Sequence, residues 1–214
     1  MINIKRMITI SLALLILGTP LIAQEIHEAV KTGNLEKVRD LLKNDPELIN
    51  SMDQTGASPL LVASTEGQDE IIKFLVENGA DPNAANYYGI TAIHYLAGSG
   101  NKEMIEYLLS KGADINAEHG LGMNCLFSAV SSGDKNILDF LIKKGADKNN
   151  ISKNGETLLH YAAQRGNVEI FKHLIKLGFD INETSLFGKT TLHYAVLGGK
   201  LSCLHEMPSI ITIK

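Results

Sequence analysis

The chain has no tryptophan, two cysteines and no basic excess: 20 Lys and Arg stand against 24 Asp and Glu, a net charge of −4. A mildly acidic surface lacks the basic footprint that binding to nucleic acid or to an anionic membrane needs, so neither partner is expected. A spanning helix is missing too, because it takes about 20 apolar residues, and the run from Met7 to Leu17 is broken by Gly18 and Pro20. That run follows Lys5 and Arg6 and precedes the small residue Ala23. It reads as a secretory signal peptide, residues 1–23, cleaved after Ala23, with an uncleaved anchor as the alternative. The residue directly after the cleavage point is Gln24, not cysteine, so a lipid-anchored start is unsupported. Loss of Lys5 and Arg6 takes the net charge to −6. No nucleophile elbow, phosphate-binding loop or metalloprotease motif occurs. The pair Gly120 and Gly122 lacks the third glycine and the strand context of a dinucleotide loop. No catalytic residue, cofactor or metal is therefore expected.

What the chain does have is a period. Gly56, Gly89, Gly122, Gly155 and Gly188 recur every 33 residues, and Gly67, Gly100, Gly133, Gly166 and Gly199 follow them in phase. Gly79, Gly112, Gly145 and Gly178 form a third series. A fixed period of this length means stacked supersecondary units. Within each unit a residue suited to cap a helix N-terminus, Ser58, Thr91, Asn124, Thr157 or Thr190, opens a first helix. Pro59, after Ser58, suits the first helical position. The second glycine ends that helix, where positive φ costs least. A second helix follows directly, and in the best unit Val168, Ile170, Phe171, Leu174 and Ile175 give it an apolar stripe. Asp180 and Asn182, like Asp81 and Asn83, suit a turn held by their own backbone.

GADPN at Gly79–Asn83, GADIN at Gly112–Asn116 and TLLHYAA at Thr157–Ala163 closely resemble the ankyrin repeats. The resemblance covers roughly residues 24–205. It implies an all-α ankyrin-repeat solenoid of helix-turn-helix units with projecting hairpins, and a recognition scaffold whose partners differ from protein to protein. It also implies that His94, His160 and His193 tie their turns to adjacent loops. Leu61 and Phe127 stand at that position in two repeats, whose turns are then expected to rest mainly on packing.

The divisions follow the period: an N-terminal capping repeat at 24–52, full repeats at 53–85, 86–118, 119–151 and 152–184, a partial repeat at 185–208 and a divergent tail at 209–214. The first repeat takes its wettable outer face from Glu28, Lys31, Glu36, Lys37 and Arg39, and Pro46 ends its second helix differently. In the fourth, Gly120 and Gly122 flank Leu121 and predict a bent or loosened hairpin. In the sixth, Pro208 falls where a second helix should run.

Three histidines at one repeat position invite a metal site, but stacked helices lie about 8–10 Å apart and zinc ligands about 2 Å from one ion. A structural role is favoured. Cys125 and Cys203 lie two repeats apart, too far for a disulfide, whose Cα atoms approach within about 7 Å. In the resembled fold the residues around the loop glycine, with the exposed side of the first helix, line a concave groove. Here they are Tyr87, Tyr88 and Ile90, then Leu121 and Met123, then Lys153 and Glu156, then Leu186 and Phe187. Exposed apolar tips of this kind mark a protein partner site; packing of hairpin on hairpin is the competing account. The function expected is protein recognition by a secreted or periplasmic monomer. The recognition half of a larger secreted enzyme, or an inhibitor of a co-encoded protein, are the alternatives.

Overall fold

Each first helix begins where a polar side chain takes up an orphan N–H group of the first turn. In the structure, a computed structural model that describes residues 24–199 and Cys203, Ser58 accepts from the Leu61 N–H and Thr157 from that of His160. Asn124 accepts from Leu126, while Thr91, Thr157 and Thr190 close reciprocal boxes with a histidine three residues on. Glycine ends the helix in the left-handed region, as at Gly166 with φ 74°. Residues 1–23, read above as a signal peptide, and residues 200–202 and 204–214, which include Pro208 and the tail, lie outside the described residues.

Two compact units divide the chain at Tyr87 and Tyr88. The first holds α1 (residues 24–31), α2 (Leu35–Asn44), a 3₁₀ helix (Pro46–Asn50), α3 (Pro59–Glu66) and α4 (Asp69–Glu77). Pro46 indeed turns the end of α2 into the 3₁₀ segment, with Asp45 capping it by accepting from the Glu47 N–H. All five charged residues expected on the outer face of this repeat are exposed. Beneath them Ile26, Val30, Val38, Ile72 and Leu75 are buried.

The second unit holds α5 (Ala92–Ser99), α6 (Lys102–Ser110), α7 (Cys125–Ser132), α8 (Lys135–Lys143), α9 (Leu158–Arg165), α10 (Val168–Lys176) and α11 (Thr191–Leu197). First helices stack in order, α5 on α7 on α9 on α11, and each of α5, α7 and α9 packs on the helix that follows it. The alanine-rich faces allow this close approach: Ala97, Ala129, Ala162, Ala163 and Ala195 are fully or almost fully buried. Ile170, Phe171 and Leu174 form the buried stripe of α10. Among the described residues the only β contact is an isolated bridge between Thr184 and Thr190, and no helix is long and apolar enough to cross a membrane.

Two expectations are corrected here. The hairpin around Leu121 is in register with its neighbours rather than loosened. Gly122 carries the positive φ (76°) of the series, and the Gly120 N–H sits 2.6 Å from the Tyr88 carbonyl. The turn of the fourth repeat is also not left to packing. Asn124 donates its side-chain amide to the Asp147 carbonyl, and its N–H bonds Asn150 Oδ1, so an amide does there what imidazole does elsewhere.

The candidate recognition surface on the hairpin tips

The hairpin turns, at 54–55, 87–88, 120–121, 153–154 and 186–187, keep the repeat period. Four of them are closed by the same short backbone bonds: His119 N to Met123 O at 3.1 Å and Gly122 N to His119 O at 2.8 Å, with the equivalent pairs at Asp53, Ser152 and Ser185. At Asp53, His119 and Ser152 the residue entering the turn adds a side-chain acceptor. Asp53 accepts from the N–H groups of Thr55 and Ala57 and from the Thr55 hydroxyl. Burial works against its charge, and these bonds outweigh burial and hold its carboxyl below the usual range. His119 Nδ1 accepts from Leu121 N, and Ser152 Oγ from Asn154 N and Glu156 N.

Neighbouring hairpins are hydrogen-bonded to one another at their tips. In the second unit Gly120 N donates to Tyr88 O, Lys153 N to Leu121 O at 2.8 Å and Leu186 N to Asn154 O at 2.9 Å; in the first, Tyr87 N donates to Thr55 O. This ladder gives the two turn residues different work. The first of each pair lies against the preceding hairpin's glycine: a Cβ built on Gly155 would stand 2.8 Å from Leu186 N, and one on Gly56 would stand 2.6 Å from the Tyr87 ring. The second offers its carbonyl to the next hairpin and its side chain to solvent.

The predicted site residues divide accordingly. Tyr88, Leu121 and Phe187, all second turn residues, are 65%, 59% and 69% exposed. Tyr87 and Leu186 are first turn residues, packed on one side yet 72% and 74% exposed. Packing and availability to a partner therefore coexist at these two. Ile90 is half-buried. Met123 is a correction: only 6% exposed, it belongs to the core under the hairpin and its carbonyl serves the His119 N–H. Nor do the tips of the second unit make one apolar patch. Tyr88 and Leu121 sit on adjacent hairpins, the exposed polar pair Lys153 and Asn154 follows, and Leu186 and Phe187 come after it.

His94 and His160 are structural, while His193 is exposed and bonds Thr190 of its own cap. His160 Nδ1 accepts the Thr157 N–H, which leaves the proton on Nε2 to donate to the Glu183 carbonyl at 3.0 Å. His94 does the same between the Thr91 N–H and the Met123 carbonyl. Burial pushes His94 down to about 4, with the charge of nearby His119 acting in the same direction and the bond to Met123 against it. His160 is lowered by burial as well. His27, which the period alone did not single out because the first repeat is offset by one residue, bonds the Ala57 carbonyl with Nε2. The interval from His27 to Gly33 matches that from His94 to Gly100 and was the available signal. No group of three or more His, Cys, Asp or Glu among the described residues could hold a metal ion. Cys125 and Cys203 are buried thiols. A cleft of about 460 Å³ in the second unit is lined by Lys148, Asn150, Leu177 and Phe179 among others, and the Lys148 ammonium there is used on the Leu177 carbonyl.

A family model described as ankyrin repeats (3 copies) matches residues 26–119 and 126–207. Protein phosphatase 1 regulatory subunit 27 of Mus musculus is 44% identical over 61 residues, 28% of this chain and 39% of that protein. BTB/POZ domain-containing protein 3 of Schizosaccharomyces pombe is 46% identical over 56 residues, 26% of this chain and 11% of that one. DNA-binding protein RFXANK of Homo sapiens is 38% identical over 58 residues, 27% and 22% respectively. The chain thus spans well under half the length of each of these relatives. The helix pairs, their glycine caps, the stacked hairpins and the family match agree, and the chain belongs to the ankyrin-repeat family.

Proposed function

We propose that this chain is a non-catalytic recognition protein that binds a protein partner on its hairpin tips and on the exposed side of its first helices. Ankyrin repeats generally mediate protein-protein interaction, and the relatives include a regulatory subunit. The observation that carries the reading is the exposure of Tyr88, Leu121, Leu186 and Phe187 on tips fixed by backbone bonds. Large apolar side chains held rigidly in solvent lose little entropy on binding, and aromatic residues lead the groups whose truncation weakens complexes.

Capture of a partner with Tyr88→Ala tests this. Binding should fall by the equivalent of about 2 kcal/mol or more, with the melting temperature nearly unchanged, while Lys176→Ala on α10 leaves capture intact. A loss of capture that merely tracks a loss of stability would refute the reading. Export rests on the sequence of residues 1–23 and belongs to the same proposal: secreted or periplasmic protein should begin at Gln24 by intact mass.

A further inference from the structure

Five residues enter the hairpin turns, Asp53, Asn86, His119, Ser152 and Ser185, and of these His119 alone changes its hydrogen-bonding sense between neutral pH and mild acid. Asp53 is held below the usual carboxylate range, and the amide and the hydroxyls do not titrate there. In the neutral ring His119 Nδ1 accepts from the Leu121 N–H at 3.1 Å, which leaves the proton on Nε2. An imidazolium carries protons on both nitrogens and accepts nothing. Protonation therefore turns an N–H of the ring against the Leu121 N–H, within the turn whose tip Leu121 occupies. The titratable groups on the elements around this ring are His94 on α5, Tyr87 and Tyr88 on the preceding hairpin, Lys153 and Glu156 on the following one, and Glu118 beside it in the chain. His94 lies against it, ring centroids 5.6 Å apart, and a charge on His119 disfavours one on His94. Glu118 and Glu156 keep their negative charge, and among the described residues neither bonds the imidazole. Burial sets the direction and holds His119 below its ordinary value.

We propose that protonation of His119 releases the Leu121 tip, so that recognition through this surface weakens in mild acid. The effect on binding rests on the reading above; the effect on the tip does not. Leu121 loses the acceptor of its N–H while its carbonyl still accepts from Lys153 N at 2.8 Å, so the loosened turn is also the one to which the next hairpin is bonded. The bonds His119 N to Met123 O and Gly122 N to His119 O contain no titratable atom. The change is therefore local to the tip and is not an unfolding. Its sign follows from the neutral ring being the bonded one. The bond is complete above the ordinary imidazole value, about 6.5, and is lost as pH falls through the lower value of the folded protein. His94, at about 4, remains neutral in mild acid and keeps its bond to the Met123 carbonyl.

The test is a titration of isotope-labelled protein from about pH 7.5 to about pH 5, following the His119 ring and the Leu121 amide by NMR. The two should move together, and the Leu121 amide should lose about two- to tenfold in exchange protection once the intrinsic pH dependence is removed. His119→Asn keeps a side-chain acceptor for the N–H two residues on, so in that variant the Leu121 response should be flat. For binding, the probe is a synthetic peptide selected at neutral pH from a displayed random library, chosen because it loses affinity against Tyr88→Ala. Its affinity should fall by about two- to tenfold in mild acid for the wild type and stay level for His119→Asn, which separates the ring from any acid of the peptide itself. A Leu121 amide that stays still while His119 titrates, or one that moves as far in His119→Asn, would overturn the inference, as would a probe whose affinity falls equally in both proteins. Selected peptides all indifferent to Tyr88→Ala and Leu121→Ala would instead remove the recognition reading, with the coupled titration of His119 and Leu121 still deciding the tip.

Discussion

If hairpins are held together at their glycines, two glycines of equal backbone conformation should differ in what they tolerate. Gly155 and Gly188 have φ of 73° and 68°, so alanine at either suffers the same left-handed penalty, about 1–2 kcal/mol. Their surroundings differ. A Cβ on Gly155 would meet Leu186 N at 2.8 Å and Leu186 Cγ at 2.9 Å, whereas one on Gly188 has nothing within 4 Å among the described residues. Gly155→Ala must therefore also displace the next hairpin. Overpacking of this kind costs about 1–3 kcal/mol, and losing the bond from Leu186 N to Asn154 O adds about 0.5–1.5 kcal/mol. The expected destabilisation is about 1–2 kcal/mol for Gly188→Ala and about 2.5–6.5 kcal/mol for Gly155→Ala. Urea denaturation followed by circular dichroism measures both, and Gly155→Ala should in addition disturb the Leu186 and Phe187 tip in amide spectra. Equal losses for the two variants would show that tip-to-tip contact contributes nothing and that the turn glycines serve backbone conformation alone.

Other outcomes follow from the same structure. His94 titrates at about 4 in the folded protein against about 6.5 unfolded. Its neutral form is favoured on folding, so stability is full above pH 6.5 and falls by up to about 3 kcal/mol on the way down to pH 4; His94→Asn should flatten that part of the curve, and an unchanged slope would refute it. The Thr191 hydroxyl is buried with no hydrogen-bond partner among the described residues, so Thr191→Val should raise stability by about 1 kcal/mol, and destabilisation would reveal a partner. Burial pushes the Cys125 thiol up to about 12, so it should resist alkylation at pH 8 until the chain unfolds. Leu159→Ala, at a fully buried site, should cost about 2–5 kcal/mol, and Leu192→Ala, its equivalent one repeat on but 47% exposed, markedly less.

Much of the fold was legible because its local choices are chemical and periodic. Ser58, Thr91, Asn124, Thr157 and Thr190 are the five N-caps that the spacing predicts, and each of Asp81, Asp114, Asp147 and Asp180 accepts from the N–H two residues on. Nearest-neighbour rules in one repeat suffice for such features. What stayed hidden depends on contacts between repeats. The substitution of Asn124 for imidazole in tying a turn involves Asp147 and Asn150 of the adjoining loop, which no single repeat unit displays.

The candidate site illustrates the same limit more sharply. From sequence, Leu121 and Met123 are equivalent, two apolar residues on either side of one glycine. The hairpin separates them, since its narrow pair of backbone bonds turns Met123 under the loop while Leu121 remains at the tip. Tyr87 and Tyr88 are adjacent and identical, yet the ladder presses the first against Gly56 and leaves the second offering its carbonyl forward and its ring to water. Apolar character alone therefore cannot select contact residues on these tips. The position within the two-residue turn can, and it selects Tyr88, Leu121 and Phe187, 65%, 59% and 69% exposed, over Met123, which the hairpin turns into the core at 6%.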